Sequence, residues 1–163
     1  MLAVWRGRYE RLLEWIVIVL MVALALLVAV AVVYRKTGAS LVWYDEIASV
    51  LLAWITFYGA ALAALRGAHI GVPALVDAMP LRLRIAATLF AEACVIGFFA
   101  LLAWVGWSVL EVLATDHLVS LPGVSVMYTQ SVVPIGAALF VIAELLRLPE
   151  VLRASAARTE VDP

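Results

Sequence analysis

The chain has 163 residues, of which 67% are hydrophobic and 14% are charged, with a formal net charge of −1. An ordinary soluble domain is about half apolar and about a quarter charged, so this chain has too few charges to cover its apolar surface in water. The balance of 11 basic against 12 acidic residues supplies no basic excess for a nucleic-acid binder.

The expected class is an integral membrane protein, all-α, with four transmembrane helices and no sizeable extramembrane domain. A span takes about 20 apolar residues, which gives a single domain over 1–156 and a frayed polar tail over 157–163. The first span is expected at about 13–34. Its core, Trp15 to Tyr34, carries no charge and is apolar on every face, as a lipid-embedded helix is. Arg6, Arg8 and Arg11 precede it, as in a signal peptide. The run exceeds the about 7–15 residues of a signal h-region, so it reads as a retained span.

The second span is expected at about 46–66, with Asp45 and Glu46 at its start, where carboxylates suit a helix N-terminus. The third is expected at about 84–110 and contains Glu92 and Cys94. A lone cysteine in an apolar run makes no intrachain disulfide and reads as a small packed side chain. The last is expected at about 126–146, after a Pro122-Gly123 turn. Pro134 falls in its first two turns and predicts a kink. Loop 2 holds Pro73 and Pro80, which bracket a short interfacial helix that would rest Leu75, Val76 and Met79 on the membrane.

Lys and Arg counts set the expected orientation. The N-terminal segment, loop 2 and the C-terminal tail carry nine, and loop 1 carries only Arg35 and Lys36. Both termini are therefore expected in the cytoplasm. Trp15, Tyr34, Trp43, Tyr44, Trp107 and Tyr128 fall at expected interfaces, as anchoring aromatics do. Trp54 and Tyr58 lie mid-span, one turn apart. They read either as lipid-facing or core filler, or as a ridge for another membrane chain.

Function in such a chain belongs to polar groups within the membrane. The only histidines, His69 and His117, fall in loops on opposite sides, which leaves no helix-embedded pair for haem or for an intramembrane serine protease. No Walker-type loop, HExxH or GxGxxG string is present. Glu92 and Glu144 remain, at shallow positions. Glu92 reads as a proton-coupling carboxylate of a self-sufficient small exporter. The plainer alternative is that each acid pairs with Arg82, Arg84 or Arg147, or packs against a partner. Gly59, Ala63 and Gly67, and more weakly Ala93 and Gly97, have the small-xxx-small spacing that lets helices approach closely, within one chain or in a dimer.

One ordered set of residues is more specific. Trp43-Tyr44-Asp45-Glu46, then Trp54, Phe57 and Gly59, then Arg66-Gly67-Ala68-His69-Ile70-Gly71-Val72 resembles the small membrane subunit of TRAP (tripartite ATP-independent periplasmic) transporters, DctQ-like. Length, span number and topology resemble that family as well. The resemblance implies a non-catalytic scaffold in a bacterial or archaeal inner membrane. Its partners would be a large elevator-type membrane subunit, a periplasmic solute-binding protein and the lipid bilayer. It implies sodium-coupled import of organic acids, with sodium in the large subunit and no cofactor in this chain. Trp43 and Glu46 match the outer start of the second span, where they are expected to cap it or to meet a partner. Arg66 and His69 match its exit, where they are expected to tie loop 2 to a helix end; titration of His69 as a switch is a further alternative. Trp54, Tyr58, Gly59, Ala63, Gly67 and Glu92 complete the partner-interface candidates. From topology alone, Arg35, Lys36, Asp116 and His117 are the residues expected to face a soluble protein outside.

Overall fold

The computed structural model describes residues 2–68 and 79–157. They form five helices: α1 (Leu2–Lys36), α2 (Tyr44–Arg66), α3 (Leu81–Leu113), α4 (Val126–Gln130) and α5 (Val132–Ala157). Four helical segments are long and apolar enough to cross a membrane. The expected interfacial helix around Pro73 lies mostly outside the described residues, as does the tail beyond 157. Pro80 stands as the N-cap of α3.

Each long helix runs beyond its expected apolar segment, and in α1 and α5 polar residues of the added turns find partners. α1 begins at Leu2 rather than near residue 13. Its extra turns carry Arg6, which bonds Glu150 of α5 and the Leu65 carbonyl at 3.1 Å. The second contact satisfies one of the orphan carbonyls that close α2. It also places the first turns of α1, the end of α2 and the last turns of α5 at one end of the bundle, called here the terminal end. The opposite end carries loop 1 (37–43) and loop 3 (114–125).

The helices stand in a row, α1 beside α2, α2 beside α5 and α5 beside α3. α5 is central and has the largest buried share of any span, whereas the apolar window of α3 buries none of its residues. The core joins Leu13 of α1, Ala61, Ala64 and Leu65 of α2, and Phe140 and Ala143 of α5. The row leaves long apolar faces uncovered on α1 and α3, including Trp15, Phe90 and Trp104. Lipid or another membrane chain must cover them.

Pro134 breaks the last span as expected, and the break has a definite place. Proline cannot accommodate the carbonyl four residues earlier, that of Gln130. The chain accordingly ends α4 at Gln130 and begins α5 at Val132. Ser125 caps α4, its Oγ accepting from the Met127 amide at 3.2 Å. The Pro122-Gly123 turn also forms, with the Val124 amide donating to the Leu121 carbonyl at 2.9 Å.

The small-residue stripe is packed within the chain at Ala64 and Gly67 and open at two other positions. Gly59 and Gly97 have nothing within 4 Å of where a side chain would begin, so neither marks a close approach within the chain. The tight crossings are elsewhere. A Cβ at Gly136 would lie 2.6 Å from the Phe57 Cβ, and one at Gly106 would lie 3.2 Å from the Pro134 Cδ. Cys94, expected to be packed, is exposed, because α3 has a neighbour on one side only.

Candidate functional site

The polar groups of the described residues gather at the two ends of the row, and the middle is apolar and aromatic. Phe99 of α3 stacks on Phe140 of α5 with centroids 3.7 Å apart and planes inclined by 15°. Trp54 turns toward α4, and its indole N–H donates to the Thr129 carbonyl at 2.9 Å. Tyr58 meets Trp54 edge-on, with centroids 6.3 Å apart, and packs against the core. The mid-span pair is therefore half-buried filler on one side, and on the other it lines a groove shared with α1.

At the loop end, Glu46 is the organising side chain. The sequence suggested that it caps its own helix, but α2 has no side-chain cap. Instead, its carboxylate accepts from the backbone amides of Val119 at 3.1 Å and Ser120 at 2.9 Å, and from the Ser120 hydroxyl. Bonds to an ionised acceptor are stronger than neutral ones, so the start of α2 fixes loop 3. Within loop 3, Leu118 donates to the Val124 carbonyl at 3.0 Å, and Val126 donates to the Asp116 carbonyl at 2.9 Å. His117 and Ser125 form an isolated bridge. Arg35, Lys36, Asp116 and His117 are all exposed, and Trp43 is half-buried at the start of α2. Replacing Glu46 by alanine is expected to speed hydrogen exchange several-fold at the Val119 and Ser120 amides, while amides near the Phe99–Phe140 stack keep their protection.

At the terminal end, Arg66 turns to α1 rather than to a described residue of loop 2. It pairs with Glu10 at 2.8 Å and Glu14 at 3.2 Å, both on α1. The signal was present in the sequence, since Glu10 and Glu14 are four residues apart and share one face. Gly67 closes α2 with φ +69°, the left-handed geometry that favours glycine. The Gly67 amide donates to Ala64 at 3.1 Å, and the Ala68 amide donates to Ala63 at 2.9 Å. The missing side chain also admits Arg147, whose Nε would lie 3.1 Å from a Cβ there. Arg147 in turn pairs with the buried Glu144 at 3.7 Å. The Arg-Gly pair at the exit of α2 is thus explained by two packing duties. His69 lies outside the described residues.

Glu92 does not make the expected ion pair. Among the described residues its carboxylate has no hydrogen-bonding or charged partner. Phe99 faces Phe140 and Gly106 faces Pro134, so the α3–α5 register places Glu92 level with Arg147. It sits roughly 10 Å from the aromatic stack toward the terminal end, away from the centre. No group of three His, Cys, Asp or Glu able to hold a metal occurs among the described residues.

An open row of membrane-length helices, polar at its ends and apolar between, defines an integral membrane protein whose broad surfaces are made to be covered. The chain matches the family described as Tripartite ATP-independent periplasmic transporters, DctQ component, over residues 24–154. It belongs to that family, the small membrane component of these transporters, which is a transporter component rather than an enzyme family. No curated protein matches the chain.

Proposed function

We propose that this chain is the scaffold subunit of a sodium-coupled transporter that imports organic acids, and that it carries no substrate itself. It anchors the large elevator-type membrane subunit, which holds the sodium and substrate sites. Both termini face the cytoplasm of a bacterial or archaeal inner membrane, in keeping with nine basic residues on one side against two on the other. Loops 1 and 3 then face outward, where Arg35, Lys36, Asp116 and His117 offer charged contacts to a solute-binding protein. Trp43, Trp54, Tyr58, Gly59, Ala63, Arg66, Gly67, His69 and Glu92 remain the candidates for contact with the large subunit, and Glu46 contributes by holding loop 3.

The observation that carries this reading is the distribution of polarity. A transport site needs several polar groups converging near the midplane, and this bundle has an aromatic stack there. Glu92 lies at a shallow level, about two turns from the aromatic stack, which weighs against the alternative of a self-sufficient proton-coupled exporter. The test is co-expression with the large subunit. The expected result is that the tagged chain retains that subunit in a fixed ratio through size-exclusion chromatography. A chain that runs as a stable homodimer and leaves the large subunit behind would overturn the proposal.

A further inference from the structure

Charge on the first turns of α1 is sorted by face. At 100° per residue, Arg6, Tyr9, Glu10, Leu13 and Glu14 point toward α2 and α5. There Glu10 and Glu14 meet Arg66, Arg6 meets Glu150, and Leu13 is buried. Arg8 and Arg11 share the opposite face with Leu12 and Trp15, and all four are exposed. Among the described residues neither arginine has an acidic partner; Arg11 donates only to the Gly7 carbonyl of its own helix, at 3.3 Å.

Directly toward the bundle centre from these arginines, a groove of about 420 Å³ opens between α1 and α2. Leu12 and Trp15 begin it, Ile16 and Val19 wall it, and Trp54 and Tyr58 line it from α2. The two features adjoin, a dicationic patch with no acidic partner among the described residues and an almost wholly apolar groove. In a bilayer this open apolar groove does not hold water and is lined by hydrocarbon or by protein.

The groove is lined on α1 from Leu12 to Leu20 and on α2 by Trp54 and Tyr58, a reach of about 12 Å at 1.5 Å per residue, which takes a stretch of one hydrocarbon chain. Charge complementarity supplies the other end of the ligand, an anion at the level of Arg8 and Arg11.

We propose that this face of α1 and α2 binds one anionic phospholipid, with its phosphate between Arg8 and Arg11 and one acyl chain in the groove beside Trp54 and Tyr58. The site goes beyond the scaffold role and does not depend on it. It places a negatively charged lipid at the foot of the bundle, where it covers part of the α1 surface that the row leaves open.

The test uses the full chain alone, so failure here leaves the scaffold reading standing. The purified protein is equilibrated in detergent with equimolar phosphatidylglycerol and phosphatidylcholine of matched chains, and retained lipid is counted by native mass spectrometry. The expected result is a preference of roughly tenfold for phosphatidylglycerol, falling to about twofold or less in the double variant Arg8→Gln/Arg11→Gln. Arg82→Gln, at an exposed arginine on α3, leaves the preference intact. Val19→Trp, which fills the groove, lowers retention of phosphatidylglycerol although both arginines remain.

Equal retention of the two lipids overturns the proposal, as does a preference that survives the double variant or falls equally with Arg82→Gln. Displacement of the lipid by millimolar inorganic phosphate would mean a simple anion site and also overturns it. Loss of the lipid on adding the large subunit would assign the face to that protein instead.

Discussion

Replacing Arg147 by methionine is expected to destabilise the bundle by about 2 kcal/mol, below the cost of breaking a fully buried ion pair, because Arg147 is itself partly exposed and Glu144 keeps a further contact. In a chain of this size that is a fall of about 6 °C in melting temperature in detergent. Glu144 is only 2% exposed and sits in the central helix, where an ionised carboxylate needs compensation. Arg147 stands one turn further along α5, 3.7 Å from that carboxylate, and rests against the left-handed Gly67. Methionine keeps the length of the side chain and withdraws the charge. Adding Glu144→Gln removes the carboxylate as well and is expected to restore part of the loss, because the two changes act on one pair while Glu144 has a further contact. The Arg6–Glu150 pair provides the contrast. With Glu150 largely exposed, Glu150→Gln is expected to cost less than about 1 kcal/mol. Equal effects at Glu150 and Arg147 would mean that burial does not set the strength of these pairs.

Gly136→Ala is expected to lower the melting temperature by about 5 °C, equivalent to about 2 kcal/mol of overpacking. The added Cβ would lie 2.6 Å from the Phe57 Cβ and 3.0 Å from its Cδ1. The first contact belongs to the base of the side chain, so ring rotation does not relieve it and α2 must move off α5. This gives the prediction a second, sharper form. Phe57→Ala in the Gly136→Ala background removes the ring but keeps the Cβ, and is expected to recover little. Gly59→Ala serves as the control. Nothing lies within 4 Å of a Cβ there, so the isolated chain is expected to keep or slightly gain stability from the better helix former.

These residues show where sequence reading succeeds and where it stops. Four helices of membrane length were legible because an apolar run of that length has few other uses. The break in the last span was legible because the backbone chemistry of Pro134 is local. Gly136 was not legible as a contact. A glycine in an apolar run does not say which neighbour approaches it, and Phe57 is 79 positions away. Gly59 drew attention by its spacing, yet spacing alone does not tell a helix crossing from an open face. The ends of the bundle were partly legible. The acids at Glu10 and Glu14 and the base at Arg66 were visible as charges, but their pairing depends on α1 running past the apolar segment to Leu2. Glu46 was found as a significant position for a different reason from the one observed, because its partners lie in loop 3, more than 70 residues along the chain.

The face of α3 presents another consequence of the row. Phe90, Trp104 and Trp107 are exposed, and a groove of about 770 Å³ runs between α3 and α5 past Trp104, Pro134 and Ala138. Its lining is apolar, and the hydroxyl of Ser108 is turned back to its own helix at Trp104. A surface of this kind suits helix packing rather than solute recognition, which agrees with a chain that works by being held and by holding.

The central claim is that this subunit supports transport without performing it. The most direct measurement is sodium-driven uptake of an organic acid into proteoliposomes, with this chain alone and with the large subunit and binding protein added. The account predicts no flux from the chain alone, flux from the full assembly, and no loss of that flux in Glu92→Gln when assembly is intact. Robust flux from the chain alone, abolished by Glu92→Gln, would contradict it.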